Sequence, residues 1–120
     1  MDKMQCYDKL DELLDYEYGW GSFGDGEIFS KMLVERCKRL VKQFDVIPEI
    51  RPTVDGEVAF DYDCEKIGIE MVVKDNEISG FITNKFVDKP SLFTFASEED
   101  AVNFWNTLVG VFCAIYGFDK

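Results

Sequence analysis

The sequence predicts an α+β domain with two N-terminal helices, an antiparallel four- or five-stranded sheet, and a C-terminal helix packed on the sheet. Three observations predict it. Apolar residues recur at helical spacing as far as Phe44, the period drops to two after Pro48, and a capping signal at Ser97 opens a long apolar run. With 120 residues, the chain has the length of one domain, 1–120, and enough material for a core.

The first helix is expected over Met4 to Glu17, with Met4, Tyr7, Leu10, Leu13 and Leu14 as its apolar stripe. Asp8, Asp11, Glu12 and Asp15 lie three or four residues apart and line its other side as a negative face. Gly19 to Gly26, reading GWGSFGDG, cannot continue that helix, because four glycines in eight residues make helical order too costly. A loop is expected there, with Trp20 and Phe23 folded back on the core. A second helix follows from about Glu27 to Phe44, burying Phe29, Leu33, Cys37, Leu40, Val41 and Phe44. Its exposed side is basic: Lys31, Arg36, Lys38, Arg39 and Lys42 face Glu35 alone.

The strands come next. Glu49 to Val54 and Glu57 to Asp63 flank Asp55-Gly56, a dipeptide suited to a tight hairpin. Val58, Phe60 and Tyr62 alternate with Glu57, Ala59 and Asp61, which makes one sheet face acidic. Lys66 to Val73 places Ile67, Ile69, Met71 and Val73 on one side, and Asp75-Asn76 turns the chain into Ile78 to Thr83. A meander is the simplest arrangement. After Asp88-Lys89-Pro90, Leu92 to Phe95 forms a short strand. Ser97 followed by Glu98, Glu99 and Asp100 then starts the last helix, which runs to Tyr116 with Gly117 as its stop.

Charge narrows the functional class. Twenty-four acids against 13 basic residues, with no histidine, give a net charge of -11. A chain this acidic lacks the phosphate-neutralising footprint of a nucleic-acid binder and is repelled by anionic lipid. Met1 to Glu12 alternates charge and shows no apolar leader, and Phe104 to Phe118 is too short and interrupted to span a bilayer, so a cytoplasmic protein is expected. Cys6, Cys37, Cys64 and Cys113 form no C-x-x-C pair and read as reduced core thiols.

Two patterns carry chemical readings. Gly19 to Gly24 matches G-x-G-x-x-G, but it follows an acidic helix where a dinucleotide site needs a buried strand, and Asp25 and Glu27 repel phosphate. Asp61, Asp63 and Glu65 alternate along a strand and, with Glu57 as a fourth ligand, could hold magnesium for a metal-dependent enzyme. Three solvated acids on a sheet face explain them equally well. With no histidine and no convergent catalytic set, the chain reads as a non-enzyme without cofactor or resident metal.

Leu10, Leu13 and Leu14, then Trp20, Phe23, Gly24 and Ile28, then Pro52-Thr53-Val54-Asp55-Gly56 and Tyr62 resemble a widespread group of small uncharacterised bacterial proteins. That group reads W-D-G-Y-G-A-x-P-I and later P-T-P-D-G-G-x-x-L-E-W. Here Glu27 stands where the group tends to have proline, Gly21 replaces aspartate and Tyr62 replaces tryptophan. The resemblance implies a helix-helix-sheet fold of bacterial or mobile-element origin, and brings no activity with it.

The expected function is therefore an acidic protein-binding module that acts on a protein with a basic surface. An inhibitor of the anti-CRISPR or DNA-mimic kind, seated in the groove of a nucleic-acid-binding defence complex, is the sharpest form of that expectation. Asp8, Asp11, Glu12 and Asp15, together with Glu57, Asp61 and Asp63, are the candidate partner-binding acids. An uncharacterised housekeeping adaptor is the alternative outside enzymology. The last helix has more apolar residues than one face needs, so Phe104, Trp105, Leu108, Phe112 and Tyr116 are candidates for a homodimer interface.

Overall fold

The computed structural model describes residues 2–63, 67–84 and 91–116. Their order is α1 (Lys3–Glu12), a 3-10 turn (Leu13–Asp15), α2 (Lys31–Gln43), β1 (Glu49–Pro52), β2 (Val58–Asp63), β3 (Ile67–Val73), β4 (Ile78–Asn84), β5 (Ser91–Phe95) and α3 (Glu98–Tyr116). The fold is α+β, with two N-terminal helices, a five-stranded antiparallel sheet and a C-terminal helix packed on the sheet. The sheet is a plain meander in the order β1-β2-β3-β4-β5. Cys64, Glu65, Asp88, Lys89, Pro90 and Gly117 lie outside the described residues, as does the side chain of Tyr116.

The helix ends follow from capping chemistry. Asp2 accepts from the Gln5 backbone while the Gln5 side chain returns to the Asp2 N–H, a reciprocal capping box that starts α1. The helix ends at Glu12, earlier than the spacing predicts, because the chain tightens into the 3-10 turn. α1 buries Cys6 and Leu10 and the turn buries Leu13, whereas Met4 and Leu14, expected in the stripe, are exposed. α2 starts at Lys31 and not at Glu27, because the Ser30 hydroxyl accepts from Leu33 N–H and the Glu27 N–H is already bonded to the Val54 carbonyl. All six residues of its predicted stripe are buried, with Val34 beside them.

Residues 53–56 form the β1–β2 turn, with Gly56 at φ 78°, a conformation that favours glycine. The register places Ile50, Phe60, Met71, Gly80 and Phe93 in one row on the inner face. Helices cover that face. Phe44 of α2 stacks on Trp105 of α3 at 4.9 Å and meets Phe60 edge-on at 5.6 Å, so both helices and the sheet share one aromatic centre. Gly80 lets α3 come close, since a Cβ there would stand 2.9 Å from Phe95 and 3.1 Å from Phe104. Cys6, Cys37 and Cys113 are buried among these layers, and burial pushes the Cys6 and Cys37 thiols up, which keeps them protonated and inert.

Candidate anionic binding face

The aromatic centre of α2 and α3 lies against one face of the sheet, and the opposite face is partly exposed. Across it the register lines up Glu49, Asp61, Glu70, Phe81 and Leu92, one residue from each strand. Three carboxylates thus stand directly opposite one another on β1, β2 and β3, and Phe81 and Leu92 continue the row as apolar residues. Asp63, Gly68 and Thr83 form a second, parallel row. Together they border a shallow hollow of about 380 Å³, lined by Glu49, Arg51, Asp61, Asp63, Glu70 and Phe81 among others.

Arg51 sits in the middle of the acids. Its Nε donates to Asp61 Oδ2 at 3.0 Å and its Nη2 lies 3.2 Å from Glu70 Oε1. That hydrogen bond and the neighbouring charges raise the guanidinium pKa above its ordinary value. One cation therefore offsets part of the repulsion among four carboxylates. Glu49 and Asp63 are exposed and have no lysine or arginine within salt-bridge distance among the described residues. Glu57, also expected in the acidic set, is 3.7 Å from Lys74 Nζ and belongs to the turn side of the sheet.

Of the predicted metal set, Asp61 is engaged by Arg51 and Glu65 lies outside the described residues. No group of three candidate ligands gathers among the described residues.

The first-helix row is placed differently from the sheet row. Asp8 and Glu12 on α1 and Asp15 on the 3-10 turn are exposed, but Asp11 is ion-paired with Lys38 of α2. The expectation of a negative face along all four acids is corrected at Asp11, whose charge is met by Lys38. The basic stripe of α2 has a structural use that spacing alone did not reveal. Lys38 holds α1, while Arg36 and Arg39 converge on Glu98 at the start of α3. Arg39 makes a two-pronged contact at 2.8 and 3.2 Å, which holds the Glu98 carboxyl below its ordinary range. Most of the stripe is thus glue between the three helices.

Gly19 to Gly26 forms a closed loop. The Gly19 N–H donates to Gly26 O at 2.7 Å, the Gly26 N–H to Trp20 O at 2.9 Å, and the Trp20 indole to Glu27 O. Trp20 folds back against Tyr16 and Phe29, as expected. Phe23 does not: it points to solvent, 90% exposed, because the two-way closure leaves the loop tip beyond the core.

The candidate interface on α3 divides. Trp105 is fully buried, stacked on Phe44 and donating its indole N–H to Val46 O at 2.9 Å, so it serves the core and not a partner. Phe104, Leu108 and Phe112 are half-buried. Val111 and Ile115, which the sequence reading left out of the interface, are exposed at 47% and 63%. No helix among the described residues is long and apolar enough to cross a membrane. No family model, curated protein or solved structure matches this chain, so its function is read from the surfaces themselves.

Proposed function

We propose that the chain is a non-enzymatic binding module whose outer sheet face docks on a basic protein surface. The observation that supports this reading is the cross-strand row Glu49–Asp61–Glu70. Like charges directly opposite on neighbouring strands are destabilising, by about 0.2–1 kcal/mol per pair. A face shaped for stability alone would alternate their signs. Here the row stands with Arg51 as its internal counter-charge among the described residues and Phe81 beside it to receive the aliphatic stems of lysine or arginine.

The partner class that fits is a nucleic-acid-binding protein, with carboxylates taking the places of phosphates in the manner of DNA-mimic inhibitors, including those of bacterial defence complexes. Asp8 and Glu12 on α1, with Asp15 on the 3-10 turn, add a second anionic surface to the same molecule.

The test is capture of proteins from a bacterial lysate on the immobilised chain, compared with the Glu49→Lys/Asp63→Lys variant and with Asp8→Lys/Glu12→Lys/Asp15→Lys. The expected result is retention of nucleic-acid-binding proteins that are released by duplex DNA and by raised salt, and lost on reversal of the sheet face. A captured set indifferent to DNA, to salt and to both reversals would overturn the proposal.

A further inference from the structure

We propose that β5 and the outer flank of α3 form a self-complementary interface through which two copies of the chain join their sheets. In a chain that is 31% charged, residues 91–97 and 101–116 contain no charged residue at all. The structure gathers these two segments at one end of the molecule. β5 is the last strand of the meander, and its outer edge pairs with no strand among the described residues. The opposite edge, β1, is four residues long, ends in Pro52 and carries Glu49 and Arg51, which discourages edge pairing. β5 reads Ser-Leu-Phe-Thr-Phe, with Leu92 64% exposed and Phe93 partly so.

The helix above it presents a matching seam. Phe104 touches Phe93 and Phe95, which marks the β5 side of α3, and Asn106 bonds Gln43 O and the Asp45 N–H, which marks the α2 side. Phe104, Leu108, Val111 and Ile115 follow a four-three-four spacing, which at 3.6 residues per turn confines them to an arc of about 60° on the β5 side. That spacing is the one used by helices that pair side by side. Nothing on this flank of the described chain covers Val111 or Ile115.

A second copy is the occupant that fits. Two chains of -11 repel as wholes, whereas β5 and the described part of this flank of α3 carry no charge to desolvate. A two-fold axis perpendicular to the sheet would pair β5 antiparallel with itself, Phe93 opposite Phe93 and Leu92 opposite Thr94. α3 lies over β4 and β5. With strands about 4.8 Å apart, that placement brings the two α3 axes to about 10 Å, the ordinary helix-packing distance, with both seams facing.

The experiment is sedimentation equilibrium from micromolar to millimolar chain, with amide hydrogen exchange of β5. The wild type is expected to reach twice 13.9 kDa, to associate more tightly as salt screens the repulsion, and to protect β5 amides in the dimer. Val111→Glu/Ile115→Glu, at positions outside the core, should keep its melting temperature at dilution and weaken association by at least about 100-fold. Leu92→Lys tests the strand half independently. A wild type that stays at 13.9 kDa at millimolar concentration overturns the proposal, as does a dimer that survives both variants or leaves β5 amides unprotected.

Discussion

Glu98→Gln tests how the helix layer is held together. The Glu98 carboxylate receives Arg39 at 2.8 and 3.2 Å and stands 3.3 Å from Arg36 Nε. Arg36 Nε is buried and has no hydrogen-bond partner of its own, so the carboxylate is what balances it. Arg36 Nη1 meanwhile donates to the carbonyls of Lys74 and Asp75, which ties the same side chain to the β3–β4 turn. A hydrogen bond to a charged group contributes about 1.5–3 kcal/mol and a neutral one about 1 kcal/mol. Arg39 is more than half exposed, so its share is discounted for solvent screening, and loss of the charge is worth about 1.5 kcal/mol in all. In a chain of this length that lowers Tm by about 6 °C at neutral pH. The pH dependence has a definite sign. The folded-state pKa of Glu98 is depressed, chiefly by the Arg39 hydrogen bond, from an ordinary value of 4.5. Its contribution is therefore fully present above that value and is lost as pH falls through the lower, folded one. Calorimetry of both proteins across the acid range should show a Tm gap that is constant at and above neutrality and closes in acid. No gap at pH 7, or a gap undiminished after full protonation, would refute the reasoning.

Trp105→Ala should cost about 4 kcal/mol in urea denaturation, since it empties the space stacked on Phe44 and leaves Val46 O without its donor. Gly80→Ala should cost about 1–3 kcal/mol by the same measurement, because the new methyl group would crowd Phe95 and Phe104. Phe23→Ala should leave the unfolding free energy unchanged within about 0.5 kcal/mol, as its ring is 90% exposed; a larger loss would mean that the loop tip packs on something in solution.

The sequence made some parts of this molecule legible and hid others for identifiable reasons. The α2 stripe was readable because six apolar residues at helical spacing admit one buried face. The meander was readable because Asp55-Gly56 and Asp75-Asn76 punctuate runs of period two. Helix ends were not, since they depend on contacts distant in sequence: Glu27 is held by Val54, so the helix waits for the Ser30 cap. Charge pairing was hidden for the same reason. Nothing local tells that Arg36 and Arg39 meet a glutamate about 60 positions later, or that Arg51 spans Asp61 and Glu70 from the neighbouring strand. On α3, composition announced a surplus of apolar residues, but only the packing divides Trp105 from Val111 and Ile115.

The two proposed surfaces constrain one another through the sheet. The acidic row occupies β1 to β3 and the charge-free edge is β5, so one can be buried without touching the other. An axis perpendicular to the sheet keeps both acidic faces on the same side, whereas the helix layers meet on the opposite side. The resulting ten-stranded sheet, about 48 Å across, would present two copies of Glu49–Asp61–Glu70 separated by the apolar residues Phe81 and Leu92 of each chain. Each acidic row is weak alone, since salt screens exposed charge beyond about 10 Å. Two rows on one rigid sheet would engage an extended basic groove bivalently, and the second contact would gain from effective concentration with no new side chain. The binding and assembly proposals therefore make a joint prediction. Val111→Glu/Ile115→Glu, which leaves the acidic face intact, should weaken capture of a two-site basic partner about 10²-fold or more while leaving binding to a single short basic peptide unchanged. Equal weakening of both would place the seam in the contact itself and refute the division of labour between the two ends of the sheet.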